Sequence, residues 1–200
     1  LPGSSGVNNF RGNFASTFTQ GVDLALTTQN VIGKFSWSTN WIYSHVNEKV
    51  TSYERKSSVQ LYLSSIGSGS GIPLVGKPLF AVYSIPWAGL SPDNGNPRGF
   101  VNDEPSEDYT AVINALTPQN IIFHGSSRPT SFGAIRNNFS YGNLNLSVNI
   151  SYRLGYFYRK NSVGYNNLLG GNIEHEDYHK RWQNPGDELI TYVPSMPQTQ

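Results

Sequence analysis

Between Leu144 and Tyr158 every even position is apolar or aromatic, and that pattern limits the folds open to the chain. Leu144, Leu146, Val148, Ile150, Tyr152, Leu154, Tyr156 and Tyr158 alternate with Asn145, Ser147, Asn149, Ser151, Arg153 and Gly155, which are polar or minimal. Successive side chains of a strand project to opposite faces, so a period of two describes a strand with one greasy face and one wet face. Globular strands centre on about five or six residues. At roughly 3.3 Å per residue and a tilt near 40°, this one would rise further than the roughly 25 Å apolar band of an outer-membrane barrel. The expectation is a wall strand of a transmembrane β-barrel that projects beyond the lipid.

The composition agrees with that expectation. Charged residues make up 14% of the 200-residue chain, well below the roughly 25% usual in soluble domains. Asn, Ser, Thr, Tyr and Gly are abundant, which suits strands with lipid on one side and water on the other. A disordered tail and a disulfide scaffold are excluded, the latter because there is no cysteine. The formal net charge of +1, without a basic run, gives no electrostatic case for nucleic acid. No apolar run is long enough for a transmembrane helix, although a β-barrel would show none. The opening residues Leu1 to Gly6 lack the basic region and apolar core of a secretory signal, so a leader for export is expected outside this sequence.

The strong period-two segments fall into two pairs. Val22, Leu24 and Leu26 share a face opposite Asp23, Ala25 and Thr27, and Phe35, Trp37, Trp41 and Tyr43 share one opposite Ser36, Ser38, Asn40 and Ser44. The link from Gln29 to Gly33 reads as a hairpin turn, and the even face of the first strand extends back through Phe18, Phe14 and Phe10. In the second pair, Ile135, Phe139 and Tyr141 precede the two-residue turn Gly142-Asn143. Tyr141 and Leu144 are then directly opposed, which puts both apolar faces on one side.

Residues 47–129 and 159–200 are rich in Gly, Pro, Asn and Ser, as in Gly67-Ser68-Gly69-Ser70-Gly71, and read mainly as extracellular loop regions. The parity of crossings requires an even number of spanning strands, or none, between the strand Lys34 to Val46 and the strand Ser131 to Tyr141. Lys77 to Trp87 is the best further strand, in the wall or in a folded loop, and Glu107 to Leu116 suits a short helix.

His175-Glu176-Asp177-Tyr178-His179 spells H-E-x-x-H, in which two histidines one helical turn apart bind zinc beside a general-base Glu. The polar flanks Asn172, Glu174, Lys180, Arg181 and Gln183, and the early stop at Pro185-Gly186, favour a solvated loop instead. No third ligand stands at an obvious spacing, although Glu188 is available. Asp93, Asn94, Asn96, Asp103, Glu104, Glu107 and Asp108 offer oxygens but lack calcium-loop spacing, so a hydrated acidic loop is the better reading. His45 and His124 have no acid or nucleophile at a telling sequence distance, so ordinary polar surface is the default reading. With no cysteine, no nucleophile elbow and no phosphate-binding loop, nothing argues for catalysis, a cofactor or a resident metal. Trp37, Trp41, Tyr43, Tyr152, Tyr156 and Tyr158 fit interfacial girdles. Their place on the apolar face makes that a better reading than sugar stacking.

Several strings together resemble the SusC/RagA class of TonB-dependent outer-membrane transporters. They are Gly21-Val22-Asp23-Leu24 with Phe35-Ser36-Trp37-Ser38-Thr39-Asn40, then Pro73-Leu74-Val75-Gly76-Lys77-Pro78-Leu79 leading to Trp87-Ala88-Gly89-Leu90-Ser91-Pro92. Next come His124-Gly125-Ser126-Ser127-Arg128-Pro129-Thr130, Asn138-Phe139-Ser140-Tyr141, Asp177-Tyr178, and Arg181-Trp182-Gln183-Asn184-Pro185-Gly186-Asp187-Glu188. The resemblance covers most of the chain. It implies that residues 1–200 are a partial receptor barrel, an all-β antiparallel segment from the C-terminal part of a barrel of about 22 strands around a plug. It further implies a cell outer-membrane importer of glycans, oligosaccharides or peptides, energised through TonB by a region not in this chain. The implied partners are a SusD-like lipoprotein lid, the remainder of the same barrel and plug, outer-membrane lipid and a second transporter–lipoprotein pair.

On that reading Asn145, Ser147, Asn149, Ser151 and Arg153 face the lumen, while Leu146, Val148, Ile150, Tyr152, Leu154 and Tyr156 face lipid. No TonB box, no plug and no closing aromatic C-terminal strand is legible in the sequence. The rival expectation is a soluble, secreted β-sandwich that binds carbohydrate through those aromatics.

Overall fold

The computed structural model describes residues 12–55, 57–64, 71–171 and 175–197. Phe10, most of the Gly67–Gly71 string, the opening Leu1 to Gly6, and Asn172 and Glu174 lie outside the described residues. In chain order the elements are β1 (Ala15–Val31), β2 (Phe35–Tyr53), α1 (Val59–Ser64), β3 (Ala81–Ser84), β4 (Gly99–Val101), β5 (Glu104–Ser106), α2 (Tyr109–Asn114), β6 (Ile122–Ser126), β7 (Ser131–Tyr141), β8 (Leu144–Leu154) and α3 (Tyr165–Leu169). Two 3₁₀ turns follow, Glu176–Lys180 and Asp187–Leu189. The fold is mostly β and antiparallel, with no helix long and apolar enough to cross a membrane among the described residues.

Four strands form one antiparallel sheet in the order β1-β2-β7-β8. Tyr141 pairs with Leu144 across Gly142-Asn143, as the alternation requires. Gly142 has φ +58 at the first turn position, where a hairpin of the II′ kind places glycine. β2 pairs directly with β7, from Phe35 opposite Tyr141 to His45 opposite Ser131, so no wall strand intervenes between them. The best further strand shrinks to Ala81–Ser84 and pairs with β6, outside the four-stranded sheet.

Two strand ends differ from the sequence expectation. β8 stops at Leu154, because Gly155 turns at φ +71 and its carbonyl accepts from the Thr130 hydroxyl. The backbone N–H of Phe157 then donates to the Ser126 carbonyl at 2.8 Å. Tyr156 and Tyr158 therefore lie outside the strand, and the apolar alternation beyond Leu154 belongs to an aromatic-rich connection. β2, by contrast, continues to Tyr53. It stays paired with β1, and the turn before Lys77 is laced to it by Val50 N–H to Lys77 O and Gly76 N–H to Val50 O, which buries Val50.

Two compact units divide the chain, residues 1–82 with 124–157 and residues 83–123 with 158–200. The first contains the four-stranded sheet. In the second, Leu90, Val112, Trp182 and Val193 are buried. Gly95, at φ +71, lies against the Trp182 indole with no room for a Cβ. Trp182 N–H donates to Val193 O at 2.9 Å, and Ser195 N–H donates to Gly95 O at 3.0 Å. The short helix suggested for Glu107 to Leu116 is α2, capped by the Asp108 carboxylate accepting from Ala111 N–H at 2.9 Å. The β4–β5 hairpin was not anticipated. Asn102 and Asp103 both take positive φ between paired Val101 and Glu104, a turn that these two residue types tolerate.

Candidate functional site

Cross-strand pairs share a face, so the registers sort every side chain of the sheet. One face carries Leu24, Leu26, Trp37, Trp41, Ile135, Phe139 and, along β8, Leu144, Leu146, Val148, Ile150, Tyr152 and Leu154. The other carries Asp23, Ser36, Ser38, Asn40, Ser44, Arg136, Asn138 and, along β8, Asn145, Ser147, Asn149, Ser151 and Arg153. The alternation thus sorts the β8 residues as the sequence analysis expects, Tyr156 excepted. Ile42, Val46 and Phe132 are apolar exceptions on the polar face, and Gly133, Asn137 and Ser131 are exceptions on the apolar one.

Among the described residues neither face is packed against a second layer. Among the described residues of the four strands only Val50 is buried. Val22 is 65% exposed, Leu144 75%, Leu146 60% and Ile150 58%. From strand rise and spacing, the apolar face between the Phe35 and His45 rows spans on the order of 600 Å², at the upper end of what soluble monomers expose. The same ten-residue interval, about 33 Å along the strand, rises about 25 Å at barrel tilt, which matches the apolar band of an outer-membrane wall.

Aromatic rings form two tiers on this face. Near the hairpin ends, Phe139 stacks with Trp37 at 5.8 Å and with Phe35 at 6.4 Å. Further along, Trp41 lies 6.2 Å from Tyr43 and its Nε1–H donates to Tyr152 Oη at 3.0 Å. Tyr152 reaches that indole by leaning across β7 at Gly133, and its hydroxyl also donates to the Ile42 carbonyl. Between the tiers runs a polar row. Thr39 Oγ1 and Trp37 Nε1 both donate to Asn137 Oδ1, at 2.7 and 3.0 Å, and Asn30 Nδ2 donates to Thr39 Oγ1. These bonds satisfy side chains that would otherwise be costly on an apolar face. Only pairing across strands brings the row together, so periodicity along one strand could not reveal it.

The H-E-x-x-H string does not form an α-helix. Glu176–Lys180 is a 3₁₀ turn with His175 as its extended N-cap. At three residues per turn, positions four apart do not share a face, so the spacing on which zinc ligation depends is lost. No group of three potential metal ligands occurs among the described residues. Glu176, His179 and Lys180 are exposed, as a solvated segment requires, while Asp177 is buried. Lys180 Nζ lies 2.9 Å from its carboxylate, Lys160 Nζ 3.4 Å, and Ser162 Oγ donates at 3.2 Å. Glu188 is engaged as well, accepting from Trp182 Nε1 and Gly186 N–H. Glu107 accepts from Asn94 and Asn96, each at 3.0 Å, and these bonds, Asn96 first, hold its carboxyl below the usual range. His45 Nδ1 lies 2.8 Å from Ser131 Oγ at the edge of the apolar face.

The hydrogen bond from Lys180, with Lys160 adding to it, lowers the Asp177 carboxyl from 3.8 to about 2. A group depressed on folding stabilises fully above its ordinary pKa and loses that contribution as pH falls through the folded value. Hydrogen exchange in peptides covering 175–197 of the intact protein should therefore stay slow down to about pH 3.8 and accelerate between there and about pH 2. Asp177→Asn should abolish that step.

A scan of protein-family models and a search of characterised proteins each return no match to this chain. The site therefore rests on its own geometry, a two-faced, single-layer sheet.

Proposed function

We propose that this chain forms part of the wall of a large outer-membrane β-barrel, with its external loops, in an active nutrient importer of the SusC/RagA class. The observation that carries the reading is a single-layer sheet, apolar on one face and polar on the other, with both faces open. A soluble sandwich would cover the apolar face with a second sheet about 10 Å away. The outer edges of β1 and β8 have no strand partner among the described residues. Exposed edges of this length invite pairing, and closure into a barrel removes them.

On this model Leu146, Val148, Ile150, Tyr152 and Leu154 face lipid, and Asn145, Ser147, Asn149, Ser151 and Arg153 line the lumen. The hairpin turns at 32–34 and 142–143 lie on the periplasmic side, and the excursion 54–130 and the region after β8 lie outside. A glycan, oligosaccharide or peptide is captured externally under a SusD-like lipoprotein, the plug is displaced through TonB, and the ligand passes along the polar face.

Fractionation of the native protein tests this. Recovery from the outer membrane only with detergent, in a complex with a lipoprotein, is the expected result. Recovery as a soluble species of about the mass of this chain would overturn the barrel and make glycan binding the next assay.

A further inference from the structure

The charges on the polar face are segregated. Arg136 and Arg153 lie on β7 and β8, whereas Asp23 and Glu48 lie on β1 and β2. Both arginines are exposed, and neither has an ion-pair partner among the described residues. The carboxylate in register with Arg153 is that of Asp23, three strands away through Phe132 and Ser44. At about 4.8 Å per strand, that is about 14 Å, too far for an ion pair.

Arg136 is opposite Asn149, and Arg153 stands four residues further along β8. The intervening pair is Ala134 with Ser151, two short side chains. Phe132 flanks the site directly opposite Arg153, and Asn149 flanks the other end.

We infer that this patch is a binding site for a carboxylated sugar, resting on the importer reading above. A guanidinium is a rigid fork of donors matched to a carboxylate, and two unpaired forks on one face, about 14 Å apart at the backbone, can each hold a carboxylate of an oligosaccharide that carries several. The amide of Asn149 and the hydroxyl of Ser151 suit sugar hydroxyls, and the Phe132 ring offers an apolar face to a pyranose, which favours a uronic acid over an acidic peptide. The implied cargo is an oligosaccharide bearing uronic acids.

The intact transporter, extracted in detergent with its native partners, is titrated by calorimetry at low ionic strength with oligogalacturonate, a neutral cello-oligosaccharide and oligoglutamate. The acidic sugar should bind about tenfold or more tightly than the neutral one. Arg136→Gln and Arg153→Gln should each weaken that binding by about tenfold, Arg→Lys should fall between, and neutral binding should not change. Equal affinity for the charged and neutral sugars, or no loss in either Gln variant, would overturn the site. Preference for oligoglutamate would overturn the sugar assignment. A fall in membrane yield without any acidic preference would mean that the arginines pair with another part of the assembly. Each of these outcomes leaves the importer standing, which instead fails if the protein needs no detergent.

Discussion

Val148→Arg is expected to remove the protein from the outer membrane, whereas Ser147→Arg, one residue away, is expected to leave assembly near normal. Val148 lies on the apolar face opposite Asn137, four rows from the hairpin end and near the middle of the apolar interval. An arginine at the bilayer midplane of a barrel costs about 2–4 kcal/mol, and the cost falls almost to nothing on the lumen side or near the interfaces. Ser147 faces the other way, beside Asn138, whose Oδ1 accepts its hydroxyl at 2.8 Å. Membrane-fraction immunoblotting with heat-modifiability as the folding readout distinguishes the pair. Equal yields would show that the two faces see the same solvent, and the membrane assignment would fail.

Gly133→Val should be comparably severe, for a reason unrelated to lipid. A Cβ at Gly133 would collide with the Ile42 carbonyl and come within 2.7 Å of Tyr152 Oη. The first collision is with backbone in the β2–β7 pairing and has no rotamer to relieve it. The second displaces the Tyr152 ring and breaks its bonds to Trp41 and to the Ile42 carbonyl. Overpacking of this kind costs about 1–3 kcal/mol, and each lost hydrogen bond adds about 1. Tyr152→Phe isolates the smaller part, leaving the ring in place and orphaning the indole. Loss of heat-modifiable folded protein in Gly133→Val, with a mild defect in Tyr152→Phe, is the expected order. A normal yield for Gly133→Val would mean that β2 and β7 are not paired at this register.

The hairpins were legible because their signals are local. Alternation names the face of each residue, and a two-residue turn sets the register, so Tyr141 opposite Leu144 followed from counting along the chain. The end of β8 was not legible, because Tyr156 and Tyr158 continue the period. What stops the strand is the backbone at Gly155 and a bond from Thr130, a residue distant in sequence. The same holds at Asp177. Its neighbours spell a metal motif and a polar surface, while Lys160, from the other side of α3, helps pair its buried carboxylate.

What this sequence determined by itself is the partition of its strands into a wet side and an apolar side, because a strand's two-residue repeat needs no partner to be read. Which strands meet was decided only by tertiary structure. The direct pairing of β2 with β7 closes over an excursion of residues 54–130 that no local pattern could anticipate. That pairing creates the Tyr152–Gly133–Trp41 contact and the Asn137 row. Both depend on side chains brought within a few ångströms across strands, and so on pairing between segments far apart in the chain.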